Sequence, residues 1–215
     1  DFYEFFAEDA EFVGDELDLK VSEKSSHGST YPMAGVPVDD LTPYLKALVE
    51  RGYRVAVADQ YETDDGHARE ITRIVTPGTL LETTDPAAQF LAAVTAVDDR
   101  YGLALADVTT GEFLVTTADA AADVAAELHR FDPVEVVPGP TVRDGDDDLL
   151  VRIRDRTDAA VTDYDAAAFA PGRAERTLRE QFGDAALDSV GLDHRAGVAA
   201  AGAVLAYVEE TGVGV

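Results

Sequence analysis

The chain has no cysteine, which excludes disulfides and thiolate metal sites. Lysine is nearly missing as well: Lys20, Lys24 and Lys46 stand alone, and arginine supplies the other cations. No apolar run approaches the roughly 20 residues that cross a bilayer, and no cleavable signal pattern opens the chain. Both point to a cytoplasmic protein with no membrane partner. No glycine-rich loop ending in Gly-Lys-Ser/Thr occurs, so a nucleotide-binding phosphate loop is excluded from these residues. The four histidines, His27, His67, His129 and His194, show no ligand spacing with one another, and no metal site is expected. Methionine is missing from position 1, and the chain reads as a fragment.

Acidic charge is what the sequence has in excess. Forty-three Asp and Glu face 17 Lys and Arg, for a formal net charge of −26. The acids are spread through the chain, as at Glu8-Asp9, Asp15-Glu16 and Asp64-Asp65, rather than gathered in one tail. Such self-repulsion destabilises a compact state at low salt. Together with the scarcity of lysine it indicates a halophilic source. A hydrophobic content of 46% is nevertheless that of a globular protein, and 215 residues are enough for one large or two ordinary cores.

Read in order, the pattern predicts a mixed α/β chain. Phe6, Ala10, Val13 and Leu17 recur at helical spacing with acids opposite. Residues 17–22 alternate as a strand, 25–30 read as a polar loop, and Pro32 to Pro37 as an irregular turn, two prolines and Gly35 arguing against a regular element. Asp39 or Asp40 is placed to cap a helix buried through Leu41, Tyr44, Leu45, Leu48 and Val49, closed by Gly52. Strands follow at 53–58 and 69–75. A second rhythm starts near Phe90: strands at 90–97, 101–107 and 112–116, a helix at 120–130 and a buried strand at 134–137. Three antiparallel strands, a helix and a strand is the order of ribonuclease-H-like folds. Leu149 to Ile153 is expected to continue that sheet, and 173–182 and 194–209 to be helices.

The first six residues, Asp1-Phe2-Tyr3-Glu4-Phe5-Phe6, hold the candidate site. Phe2 and Glu4 are two apart, so on an extended segment both project from one face. A flat ring beside an acceptor suits a nucleic-acid base, stacked on the ring with an edge N–H on the carboxylate. Met33 offers a flexible thioether, and Lys24, with Ser25, Ser26 and His27, a polar stretch able to reach phosphates.

Asp1–Phe6, Tyr31-Pro32-Met33-Ala34-Gly35-Val36-Pro37 and Arg73-Ile74-Val75-Thr76-Pro77-Gly78-Thr79 together resemble the N-terminal part of the MutS family of DNA mismatch-recognition proteins. Residues 52–60 and 105–113 are similar to the family's next strand and to the opening hairpin of its connector domain. The resemblance implies a mismatch-recognition domain at 1–80, short of its first strand, a linker at 81–88 and a ribonuclease-H-like connector domain at 89–215. It implies DNA contacts at Phe2, Glu4 and Met33, with Phe2 wedging into the duplex and Glu4 hydrogen-bonding the displaced base; Lys24 joins them as the cation of its polar stretch. It implies that partners are duplexes with mismatches or small loops, a homodimer in the full-length form, and a MutL-type repair partner on the connector domain. ATP and Mg would belong to a C-terminal ATPase absent from this chain, which carries no cofactor and is not an enzyme by itself. Two rivals remain: a paralogue binding branched DNA or partners without mismatch preference, and a metal-dependent nuclease using Asp107 and Glu135.

Overall fold

The computed structural model describes residues 1–26, 28–63, 66–80, 89–145 and 148–212. The chain divides into two compact units, Asp1–Val55 and Ala56–Val215. The segment 81–88, expected as a linker, lies outside the described residues, as does His27.

In the first unit, β1 (Phe2–Phe6), β2 (Ser22–Ser26) and β3 (Ser29–Pro37) form an antiparallel sheet in the order β1-β3-β2. Helices α1 (Glu8–Leu17) and α2 (Leu41–Val49) accompany it. Ala10 and Val13 of α1 and Leu48 of α2 bury against Ala34 and Phe5 of the sheet. Val36 alternates with Ala34 and is also fully buried, so the even positions of β3 form the core side.

Three expectations change here. The region expected as a strand at 17–22 and a loop at 25–30 is instead a hairpin, β2 to β3, shifted toward the C-terminus. The proline-bounded turn is the central strand of the sheet. Both prolines occupy places where the ladder needs no donor. The Pro32 carbonyl accepts from Ala7 N at 2.9 Å, so its own nitrogen points to the β1 side just past the end of that strand. Val38 N donates to Asp1 O at 3.2 Å, so Pro37, one residue earlier, points the other way, where β2 no longer runs. Neither Asp39 nor Asp40 makes a side-chain cap: a 3₁₀ turn at Val38–Asp40 leads into α2, and Asp40 makes no capping hydrogen bond.

Strand β4 (Val55–Thr63), which starts at the last residue of the first unit, and β5 (Gly66–Val75) form a separate two-stranded sheet. The main sheet of the second unit has five strands: β6 (Phe90–Val97), β7 (Arg100–Asp107), β8 (Phe113–Ala118), β9 (Glu135–Pro138) and β10 (Ala160–Val161), in the order β10-β9-β6-β7-β8. The first three are antiparallel, and β9 and β10 run parallel to β6 and β9 respectively. This is the ribonuclease-H-like arrangement. The β6–β7 turn takes Asp98 at φ 53° and Asp99 at φ 61°, the paired left-handed conformation that two-residue hairpins require and that Asp tolerates.

Helices α3 (Ala121–Phe131), α4 (Pro140–Arg143), α5 (Leu149–Arg156), α6 (Pro171–Phe182), α7 (Ala186–Val190) and α8 (Arg195–Thr211) complete the unit. Phe90, Ala92, Val94, Leu103 and Leu105 face α3 and α5, while Leu91, Ala93, Ala104 and Ala106 face α6 and α8. Residues 149–153 therefore do not continue the sheet. Leu149 and Ile153 are one helical turn apart, both are buried on α5, and Arg152 reaches back four residues to Asp148 at 2.5 Å. Alanine-rich α8 packs closely on α6: a Cβ on Gly202 would lie 2.3 Å from the Ala174 backbone.

Candidate nucleic-acid interface

Alternation along three paired strands decides what the first sheet presents. Residues directly opposite across an antiparallel pair share a face. The register pairs Phe2 with Pro37, Glu4 with Gly35 and Phe6 with Met33, and on the other side Met33 with Ser22 and Tyr31 with Lys24. Phe2, Glu4, Phe6, Tyr31, Met33 and Lys24 thus lie on one face, opposite the face that α1 and α2 bury. All four residues expected to contact DNA are brought together.

Phe2 is 64% exposed, far more than a core aromatic. Its ring leans over Gly35, where an added Cβ would sit 3.4 Å from Phe2 Cδ1. A larger side chain there would press against the ring. Lys24 Nζ donates to both carboxylate oxygens of Glu4, at 3.1 and 2.9 Å. The same ammonium lies 5.6 Å from the centre of the Phe6 ring, which meets Tyr31 edge-to-face at 5.8 Å. Lys24 is therefore on a strand and bound to Glu4, not on a free polar loop. Met33 is half-buried at the middle of β3, not in a turn.

Gly35, Phe6 and Tyr31 belong to this face and were missed as site residues. The signal was present: reading 29–37 as a strand sets the parity that joins them to Phe2 and Glu4. Two prolines hid it.

The described side chains of this face carry one anion and one cation, Glu4 and Lys24. In a chain of net −26, that is a local escape from the acidic surface.

The two carboxylates of the nuclease alternative are engaged otherwise. Asp107 is 2% exposed and accepts from Thr109 N at 2.9 Å, Thr109 Oγ1 at 2.7 Å, Thr110 Oγ1 at 2.6 Å and Gln89 N at 3.3 Å. Burial works against its ionisation, but the hydroxyls of Thr110 and Thr109 and the amides of Thr109 and Gln89 outweigh it and hold the pKa at about 2. Glu135 is fully buried and accepts from Thr76 Oγ1 at 2.8 Å, Gly78 N at 3.0 Å, Tyr207 OH at 3.0 Å and the Thr162 hydroxyl. Both oxygens of each are thus occupied by protein donors. Among the described residues, no group of three or more His, Cys, Asp or Glu side chains could hold a metal ion. None of the described helices is long and apolar enough to cross a membrane.

Residues 1–84 match MutS domain I, and residues 89–213 match MutS domain II. The DNA mismatch repair protein MutS 1 of Haloarcula marismortui is 65% identical over 222 residues, covering 100% of this chain and 24% of that protein. DNA mismatch repair protein MutS 1 of Halobacterium salinarum is 59% identical over 218 residues, covering 100% of this chain and 25% of that protein. MutS of Pelotomaculum thermopropionicum is 35% identical over 225 residues, covering 98% of this chain and 25% of that protein. The chain spans about a quarter of the length of these relatives. The halophilic sources of the first two accord with the acidic, lysine-poor composition. Two consecutive family segments, a central strand carrying the Met33–Gly35 run and a ribonuclease-H-like second unit agree: this chain belongs to the MutS family and carries its domains I and II.

Proposed function

We propose that this chain reads mismatched DNA for a longer mismatch repair protein. Phe2 wedges between base steps and stacks on a mispaired or unpaired base, while Glu4 accepts a hydrogen bond from that base's edge. Met33 packs against sugars in the minor groove, and Lys24 lies on the same face. The supporting observation is the charge-balanced aromatic face with Phe2 standing exposed on it. A wedge costs a few kcal/mol of unstacking at a normal step and less where pairing is already weak. One ring then serves many mismatches, because deformability rather than base identity is read.

Residues 89–215 would serve as a connector, passing the DNA-bound state to an ATPase that holds ATP and Mg outside this chain. This stretch is itself proposed to be non-enzymatic, matching only MutS domains I and II. A homodimeric clamp and a MutL-type partner on the connector complete the proposal, which places the protein in the cytoplasm.

The test measures binding in molar potassium chloride, using the longest natural protein that carries this chain. Its affinity for a G·T or single-base-bulge duplex is compared with that for the matched duplex, in wild type and Phe2→Ala. We expect the wild type to prefer the defect, and Phe2→Ala to lose about tenfold or more of that preference, the order of one base–aromatic stack. Equal binding of both duplexes by the wild type would overturn the reading.

A further inference from the structure

We infer that Lys24 serves Glu4 rather than the DNA backbone: it is the built-in counter-ion that lets a carboxylate stand on a duplex-facing surface and keeps it aimed beside Phe2. This rests on the reading of that face as the DNA interface.

The geometry comes first. Glu4 and Lys24 sit on the two outer strands, twenty residues apart in sequence, and meet across β3. Between them β3 offers Tyr31, Met33 and Gly35 to this face, none of them charged. Lys24 reaches both oxygens of the carboxylate, which restricts its rotation as well as its charge. Two of the three ammonium protons are thereby committed. The Phe6 ring lies near enough to steady the ammonium from the side, and Tyr31 steadies Phe6 in turn. Lys24 is thus held by two side chains of its own sheet, Glu4 and Phe6.

Electrostatics gives the arrangement its purpose. Duplex DNA carries about one negative charge per 1.7 Å of axis. A bare carboxylate set against it is repelled wherever the base offers no proton in compensation. Paired with Lys24, Glu4 adds no net charge. In about 1 M salt the screening length is about 3 Å. An ion pair at 2.9 Å still feels its partner there, and charges covered by a bound duplex are screened less than exposed ones. Of the three lysines in this chain, one stands on the single acid among the described side chains of this face.

A double-mutant cycle separates the two roles of Lys24. Binding to matched and single-base-bulge duplexes would be measured in molar potassium chloride for the wild type, Lys24→Met, Glu4→Gln, the double variant and Lys24→Arg. Methionine keeps the apolar stem beside Phe6 and removes only the charge. We expect Lys24→Met to weaken binding to both duplexes roughly tenfold when Glu4 is present, and less than about twofold in the Glu4→Gln background. Lys24→Arg should restore most of the loss. An equal penalty in both backgrounds would make Lys24 a direct phosphate contact and overturn the inference, as would no penalty in either. Failure of the underlying function reads differently: the wild type would then bind bulged and matched duplexes alike, whatever the coupling.

Discussion

Asp107 stays ionised in a buried place because donors converge on it from both sides of one turn. Its strand ends there, and Thr109, Thr110 and Gly111 fold back so that Gly111 N reaches Asp107 O at 2.9 Å. The carboxylate's pKa lies at about 2 in the fold, against an ordinary 3.8. A depressed pKa contributes stability that is complete above the unfolded value and is lost as pH falls from about 4 through about 2. The contribution is on the order of 1–2 kcal/mol once nearby solvent is allowed for. Denaturant unfolding in molar potassium chloride should therefore show a loss of stability over that window, and Asp107→Asn should flatten it. An Asp107→Asn profile as steep as the wild type would refute the role. Phe2 and Glu4 show the same reach of a single residue: their two-residue spacing is enough to predict a shared face, and their strand supplies it. That Lys24 closes on Glu4 was not predictable from spacing, because the two residues meet only across β3.

At the scale of elements, Glu135 has the widest influence. From β9 it receives Thr76 and the Gly78 amide of the turn after β5, Thr162 just beyond β10, and Tyr207 of α8. Three segments of the second unit converge on one side chain of a fourth. Removing it leaves the Gly78 N–H, which cannot rotate away, and three hydroxyls in search of partners. Buried polar groups left unpaired cost about 1–3 kcal/mol each, less where a hydroxyl can turn. Glu135→Ala should accordingly lower unfolding stability by about 2–4 kcal/mol. Glu135→Gln should cost less, since the amide keeps one accepting oxygen. An unchanged denaturation midpoint in Glu135→Ala would show that the donors find other partners. The sequence displayed Glu135 as an acid on a strand, and nothing in its neighbours revealed which segments it would join. The misread elements have a similar origin. Residues 149–153 are apolar at both ends with arginine between, a pattern that suits a strand or a helical turn; burial of Leu149 and Ile153 against the sheet chose the helix.

For the molecule as a whole, the acidic excess sets the conditions of stability. At about 0.1 M salt the screening length is about 10 Å and neighbouring surface carboxylates repel one another; at 1 M it is about 3 Å and they hardly interact. Among the described residues the ion pairs are mostly exposed, such as Arg100–Asp119 at 2.7 Å and Arg195–Asp98 at 3.2 Å, and solvent screening leaves exposed pairs little to contribute. They cannot offset a net charge of −26. Thermal midpoints should rise steadily from 0.1 to 2 M potassium chloride, most steeply at the low end, as screening predicts. A midpoint independent of salt would mean that the acids are spaced widely enough not to matter.

What the sequence determined by itself was local or additive. Net charge is a sum, a helix is periodicity, the three antiparallel strands from Phe90 follow from alternation and tight turns, and the placement of Phe2 beside Glu4 follows from the pleat. What only the tertiary structure decided was which distant residues meet. The neighbours of β3 made two prolines harmless and turned an apparent loop into the central strand. The same pairing brought Lys24 onto Glu4 and laid Gly35 under the ring of Phe2. Hydrogen-bond ladders and packed faces join residues far apart in the chain, and no window of sequence records the register in which they join.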